Sequence, residues 1–73
     1  MELRKYEGKN VRLIDVDGDG FIGYASDYIF ADDNAPEEVE SIVLSHPTRD
    51  DGYVYDTSVE FTAHEIRSIE IIE

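Results

Sequence analysis

The sequence predicts an all-β fold: one small, strongly bent sheet of five strands, preceded by a short helix. Three observations carry this. Short runs rich in Val, Ile, Tyr and Phe recur along the chain and are cut by clusters of Asp, Gly, Asn and Pro. The one acidic, β-poor segment, residues 31–40, has too little apolar periodicity for a long helix. And 73 residues make a single domain, 1–73, that buries only roughly 60% of its unfolded surface. A sheet that closes on itself would satisfy its edge strands and give so short a chain one core.

The elements follow in order. Leu3 to Lys9 suits one or two helical turns, with Leu3 and Tyr6 on one side and Gly8 as the stop. Asn10 to Val16 reads as the first strand and Phe21 to Phe30 as a long second one. Gly23 and Ala25 share a face of that strand, where small residues permit a sharp bend or a close backbone approach. Tyr24, Tyr28 and Phe30 fall on the opposite face by the period of two. Ala31 to Glu40 reads as a mobile acidic loop. Ser41 to Ser45 is a short central strand, and His46 to Gly52 a turn pivoting on Asp51-Gly52. Tyr53 to Phe61 alternates as a fourth strand. Thr62-Ala63-His64-Glu65 has the spacing of a capping box, enough for one tight turn. Ile66 to Ile72 makes the last strand. Closed, this order is a small SH3-like barrel.

The stretch Asp15-Val16-Asp17-Gly18-Asp19-Gly20-Phe21-Ile22 has two incompatible readings. Asp at loop positions 1, 3 and 5, Gly at 6 and Ile at 8 match the start of a calcium-binding EF-hand loop. Position 12, which should supply a bidentate carboxylate, is Ser26, and both flanks are β-prone rather than helical. Asp-Gly-Asp-Gly between two β runs is a hairpin signal. The expectation is a hairpin turn, with Asp15, Asp17 and Asp19 as the candidate ligands if it also holds a cation weakly.

Charge is uneven. Eighteen acidic residues face six basic ones, a net of −12. Residues 1–12 carry Arg4, Lys5, Lys9 and Arg12 against Glu2 and Glu7; beyond them only Arg49 and Arg67 oppose sixteen carboxylates. Nucleic-acid affinity comes largely from Lys and Arg neutralising phosphates, so a body this acidic disfavours it unless the basic N-terminal segment supplies all of it. Acidity either keeps the chain soluble or serves a basic protein partner. For such a partner the candidate residues are Asp32, Asp33, Asn34, Glu37 and Glu38 of the acidic loop. No cysteine is present, so there is no disulfide, thiolate zinc site or cysteine nucleophile. Met1-Glu2-Leu3-Arg4-Lys5-Tyr6 lacks the apolar core of a signal peptide, and no apolar run approaches the ~20 residues of a membrane helix. A cytoplasmic protein without membrane contact is expected.

Gly8-Lys9-Asn10-Val11-Arg12-Leu13, then Asp17-Gly18 and Phe21-x-Gly23-Tyr24, the Ser41-Ile42-Val43-Leu44 strand and the ending Glu65-Ile66-Arg67-Ser68-Ile69-Glu70-Ile71 together resemble the Sm/LSM-like family. The resemblance covers most of the chain and implies a bent five-stranded barrel with a leading helix. It also implies RNA binding, through an Asp and Asn after strand two and an Arg-Gly before strand five. Asp32, Asp33 and Asn34 stand near the first position. The second is Thr62-Ala63-His64-Glu65, which has no Arg-Gly and only His64 to touch a base. Family members close rings by pairing their fourth and fifth strands. Screened repulsion between acidic copies leads us to expect a monomer or dimer at low salt, with rings favoured only as salt rises.

Catalytic chemistry is not signalled. His46 and His64 sit in no triad or metal spacing, and no Gly-rich loop precedes a helix to cradle phosphate. Tyr24, Tyr28, Tyr53 and Tyr55 suit either an exposed aromatic patch or the lid of a core. The sequence therefore points to a non-enzymatic binding module without a cofactor, contacting a protein through acidic loops or an edge strand. The alternatives are an RNA-related role, an acidic mimic of nucleic acid, and a weak calcium-binding hairpin.

Overall fold

The computed structural model describes residues 1–33 and 38–72. They form one five-stranded antiparallel sheet: β1 Asn10–Asp15, β2 Gly20–Ile29, β3 Ser41–Arg49, β4 Val59–Thr62 and β5 Ile66–Ile71. Helical structure among the described residues is limited to single 3-10 turns at Arg4–Tyr6, Ala31–Asp33 and Ala63–Glu65. None is long or apolar enough to cross a membrane. The strand order is β4-β3-β2-β1-β5. Strands β1 to β4 run as a meander, and β5 returns beside β1, with Val11 opposite Ile71 and Leu13 opposite Ile69.

The concave face holds the core. Val11, Leu13, Phe21, Ala25, Ile42, Leu44, Phe61 and Ile66 are buried there together with Leu3, which comes from the N-terminal segment. Phe21 on β2 and Phe61 on β4 have ring centroids 4.9 Å apart. In a flat sheet, strands two places apart lie about 9.6 Å from each other. The sheet is therefore strongly bent, as the sequence predicts.

It is not closed. β4 and β5 are its two edges and share no ladder. The expected barrel is an open sheet whose edges are consecutive strands, joined by the Ala63–Glu65 turn. That turn has the predicted capping box: Thr62 N–H donates to Glu65 Oε1 at 2.9 Å.

Three expectations change for local reasons. β3 does not end at Ser45 but runs on to Arg49. Its register against β2 slips between Ser45 and Thr48, where His46 adopts a left-handed φ of 46°. A bulge there carries the strand past Pro47, whose missing N–H would break a regular ladder. A second slip, between Ala25 and Asp27, leaves Ser26 as an extra residue of β2. It reverses the alternation, so Tyr24 stays exposed on the convex face while Tyr28 packs on the core. The shared face assigned to Tyr24, Tyr28 and Phe30 thus holds only for Tyr28 and Phe30, whose rings meet at 5.2 Å. Finally, the fourth strand is only Val59–Thr62. Upstream of it, Val54 makes an isolated bridge to Thr48, while Tyr55 turns its ring onto Phe21 at 6.1 Å.

Candidate functional site

The Asp15–Asp19 segment is a hairpin turn. Asp15 Oδ1 accepts the backbone N–H of both Asp17 and Asp19 at 2.9 Å, and Gly18 takes a φ of 91°. This is the local use of Asp that substitutes for backbone pairing in tight turns. Arg67 Nη2 donates to Val16 O at 3.1 Å, placing a guanidinium beside the same turn. Among the described residues no three His, Asp or Glu side chains converge to hold a metal ion. Asp15, Asp17 and Asp19 are therefore neighbours in a turn whose first carboxylate is already occupied by N–H groups. Calcium at about 1 mM, the range of weak extracellular modules, should leave the melting temperature unchanged. A rise of many degrees that vanishes in Asp17→Ala would show a real cation site.

Beside this turn lies a cleft of about 230 Å³, at the seam where the sheet fails to close. Val59 and Phe61 of β4 and Val16 supply its apolar lining; Asp15, Asp17, Glu60 and Glu65 are its carboxylates. Several of these are fixed in place by their own hydrogen bonds. Ser41 Oγ donates to Glu60 Oε2 at 2.7 Å, and Glu65 is held by its cap. Val16 N–H donates to Glu65 O at 3.0 Å, which ties the hairpin turn to the link between β4 and β5.

The acidic segment divides in two. Asp32 is exposed, and the Asp33 backbone completes the 3-10 turn with it. Glu38 is exposed with a left-handed φ of 54°. Asn34 and Glu37 lie outside the described residues. After Glu38 the chain is anchored, contrary to the expected mobile loop. Val39 is buried, and Glu40 Oε1 accepts the Tyr28 O–H at 2.8 Å and the Leu3 N–H at 3.3 Å. The Glu40 carboxylate raises the Tyr28 phenol above its usual value by accepting its proton in a hydrogen bond. No sequence pattern marks Glu40, since its partners lie 12 and 37 positions away.

The Arg49–Gly52 turn is also more structured than a solvated charge run. Asp50 Oδ2 accepts the Gly20 N–H at 3.0 Å. Arg49 pairs with Asp51 at 2.9 Å, and this guanidinium holds the Asp51 carboxyl below the ordinary carboxylate range. The tyrosines do not gather into one patch: Tyr24 and Tyr53 are exposed, while Tyr28 and Tyr55 pack on the core. His46 lies in the β3 bulge and His64 in the turn before β5, both exposed. No family model matches this chain, and no curated protein matches it.

Proposed function

We propose that the chain is a small binding module of the SH3-like, Sm-like type that works without catalysis and engages a basic protein along its acidic seam. The observation that carries this reading is the open seam itself. β4 is an edge strand of the sheet, the kind of element along which an incoming extended segment can add. Asp17, Glu60 and Glu65 stand beside it to meet that segment's Lys or Arg side chains. The strand order supports the Sm-like comparison, because it leaves as edges the two strands through which that family forms rings. A net charge of −12 per copy opposes such rings, so the reading is of a monomer or dimer at low salt.

Titration with a synthetic Lys/Arg-rich peptide, followed by NMR, tests this. Amide shifts should concentrate on residues 15–17 and 59–65, and affinity should fall as salt rises. A variant carrying Asp17→Asn, Asp32→Asn and Glu38→Gln should stay folded and associate more slowly, with a weaker salt dependence, because steering acts on the on-rate. Equal binding by both proteins would assign the charge to solubility alone. RNA retained by the purified chain would favour a nucleic-acid role instead, and a stable hexamer or heptamer at low salt would favour ring assembly.

A further inference from the structure

The chain holds three Asp-Gly bonds, Asp17-Gly18, Asp19-Gly20 and Asp51-Gly52, and the fold treats them differently. In such a pair the next backbone nitrogen can attack the aspartyl side chain, because glycine has no Cβ to hinder the approach. Two conditions govern the attack. The nitrogen has to be accessible, and the carboxyl has to be free to turn toward it and to hold a proton before it loses water. At Asp19-Gly20 the nitrogen fails the first condition. Gly20 is buried at the start of β2, opposite Ile14, and its N–H donates to Asp50 Oδ2 at 3.0 Å. At Asp51-Gly52 the carboxyl fails the second. Arg49 Nε and Nη2 donate to its two oxygens at 3.2 and 2.9 Å, and the Tyr53 N–H donates to Oδ1 at 3.0 Å. The guanidinium also keeps that carboxyl ionised.

Asp17-Gly18 meets both conditions. Its two residues are exposed at the tip of the β1–β2 hairpin. The Gly18 N–H makes one turn bond, to Asp15 O at 3.0 Å, no shorter than the 2.8 Å bond from Gly52 to Arg49 O. The Asp17 carboxylate, unlike that of Asp51, takes part in no hydrogen bond or ion pair among the described residues. We propose that Asp17 is a site of isoaspartate formation, the one Asp-Gly bond that the folded chain leaves open to it. The Gly18 nitrogen attacks Asp17 Cγ; the N–Cγ bond forms, and the carboxyl hydroxyl leaves with the amide proton as water. Water then reopens the cyclic imide. Cleavage between the nitrogen and the main-chain carbonyl carbon of Asp17 leaves the backbone running through Cβ, with the carboxylate moved to Cα. Charge is unchanged, but the turn gains one backbone atom. Three hydrogen bonds span the lengthened link: Gly18 N–H to Asp15 O at 3.0 Å, Asp19 N–H to Asp15 Oδ1 at 2.9 Å, and Asp15 N–H to Asp19 O at 2.9 Å. Asp17 also lines the seam cleft, so the product carries its carboxylate differently there. The modification stands whether or not that cleft takes a basic partner.

Prolonged warm incubation of the whole protein at mildly acidic pH, followed by peptide mapping with mass spectrometry, tests this. The imide is lighter by one water; the isoaspartyl peptide keeps its mass, shifts in retention and resists the protease that cuts before aspartate. In the folded chain, product should build up at Asp17 several-fold faster than at Asp19 or Asp51. In guanidinium chloride the three rates should converge, since the differences lie in the fold. Asp17→Glu should abolish product at this position, and circular dichroism should report an unchanged fold because the side chain is exposed. Arg49→Gln should raise the rate at Asp51 and leave Asp19 slow, a contrast that global unfolding would not give. Equal rates at the three bonds of the folded chain would overturn the inference, as would a faster reaction at Asp19 or Asp51. So would a lead for Asp17 that persists undiminished in denaturant, an Asp51 rate unmoved by Arg49→Gln, or no product at Asp17 under conditions where the unfolded chain reacts.

Discussion

Leu3→Ala should destabilise this protein by about 2–5 kcal/mol, the cost of emptying a fully buried leucine site. Leu3 precedes every strand, yet none of its surface is exposed, and it packs with Val11, Leu13 and the rest of the core. Its N–H also reaches Glu40 Oε1, so the N-terminal segment is fastened at both side chain and backbone. A domain of this length has roughly 4–11 kcal/mol of stability in all. The substitution should thus lower the melting temperature by at least about 8 °C. Met1→Ala is the control, since Met1 is 59% exposed and should be silent. An unchanged melt for Leu3→Ala would mean that residues 1–6 are not part of the core.

Gly23→Val should be nearly as damaging. A Cβ at Gly23 would lie 3.2 Å from both Cα and Cβ of Pro47 and 3.5 Å from Leu44 Cβ. The first of those neighbours is backbone at a bulge and cannot swing away as a flexible side chain would. Alanine already needs the two strands to part by a few tenths of an ångström, and valine adds two methyl groups to the same gap. Overpacking of this kind costs about 1–3 kcal/mol or more. Urea melts should therefore rank the wild type above Gly23→Ala and Gly23→Ala above Gly23→Val. If valine is tolerated as well as alanine, β2 and β3 do not approach as closely as described.

What the sequence makes legible here is local, and what it hides depends on distant partners. The Asp-Gly-Asp-Gly turn, the β1 and β5 boundaries and the capping box at Thr62 each rest on chemistry contained within a few residues. The path of β3 through Pro47 does not, because it depends on His46 accepting a left-handed conformation opposite Gly23. Ser26 shows the same limit: one unpaired residue reverses the face of every side chain after it, and nothing in the local pattern announces it. For the site, the acidic seam is half legible. Asp15, Asp17 and Glu65 stand out in the sequence as turn and cap residues, but their meeting with Val59 and Phe61 follows only from the bend of the sheet. Arg12 looks like one member of a basic N-terminal cluster until the register places it in the middle of the sheet, between Glu70 of β5 and Ile22 of β2.

The pairing of β1 with β5 has a consequence for how the protein is made. Val11 and Leu13 acquire their second neighbours only from Ile71 and Ile69, nearly the whole sequence later. While the polypeptide is being synthesised, β1 to β4 can assemble as a meander, but one side of β1 has nothing to pair with until the last strand has left the ribosome. The nascent sheet therefore presents a bare apolar strand for the seconds that elongation takes. Any chaperone contact with this chain should concentrate on residues 10–15, and it should end once β5 has paired with β1.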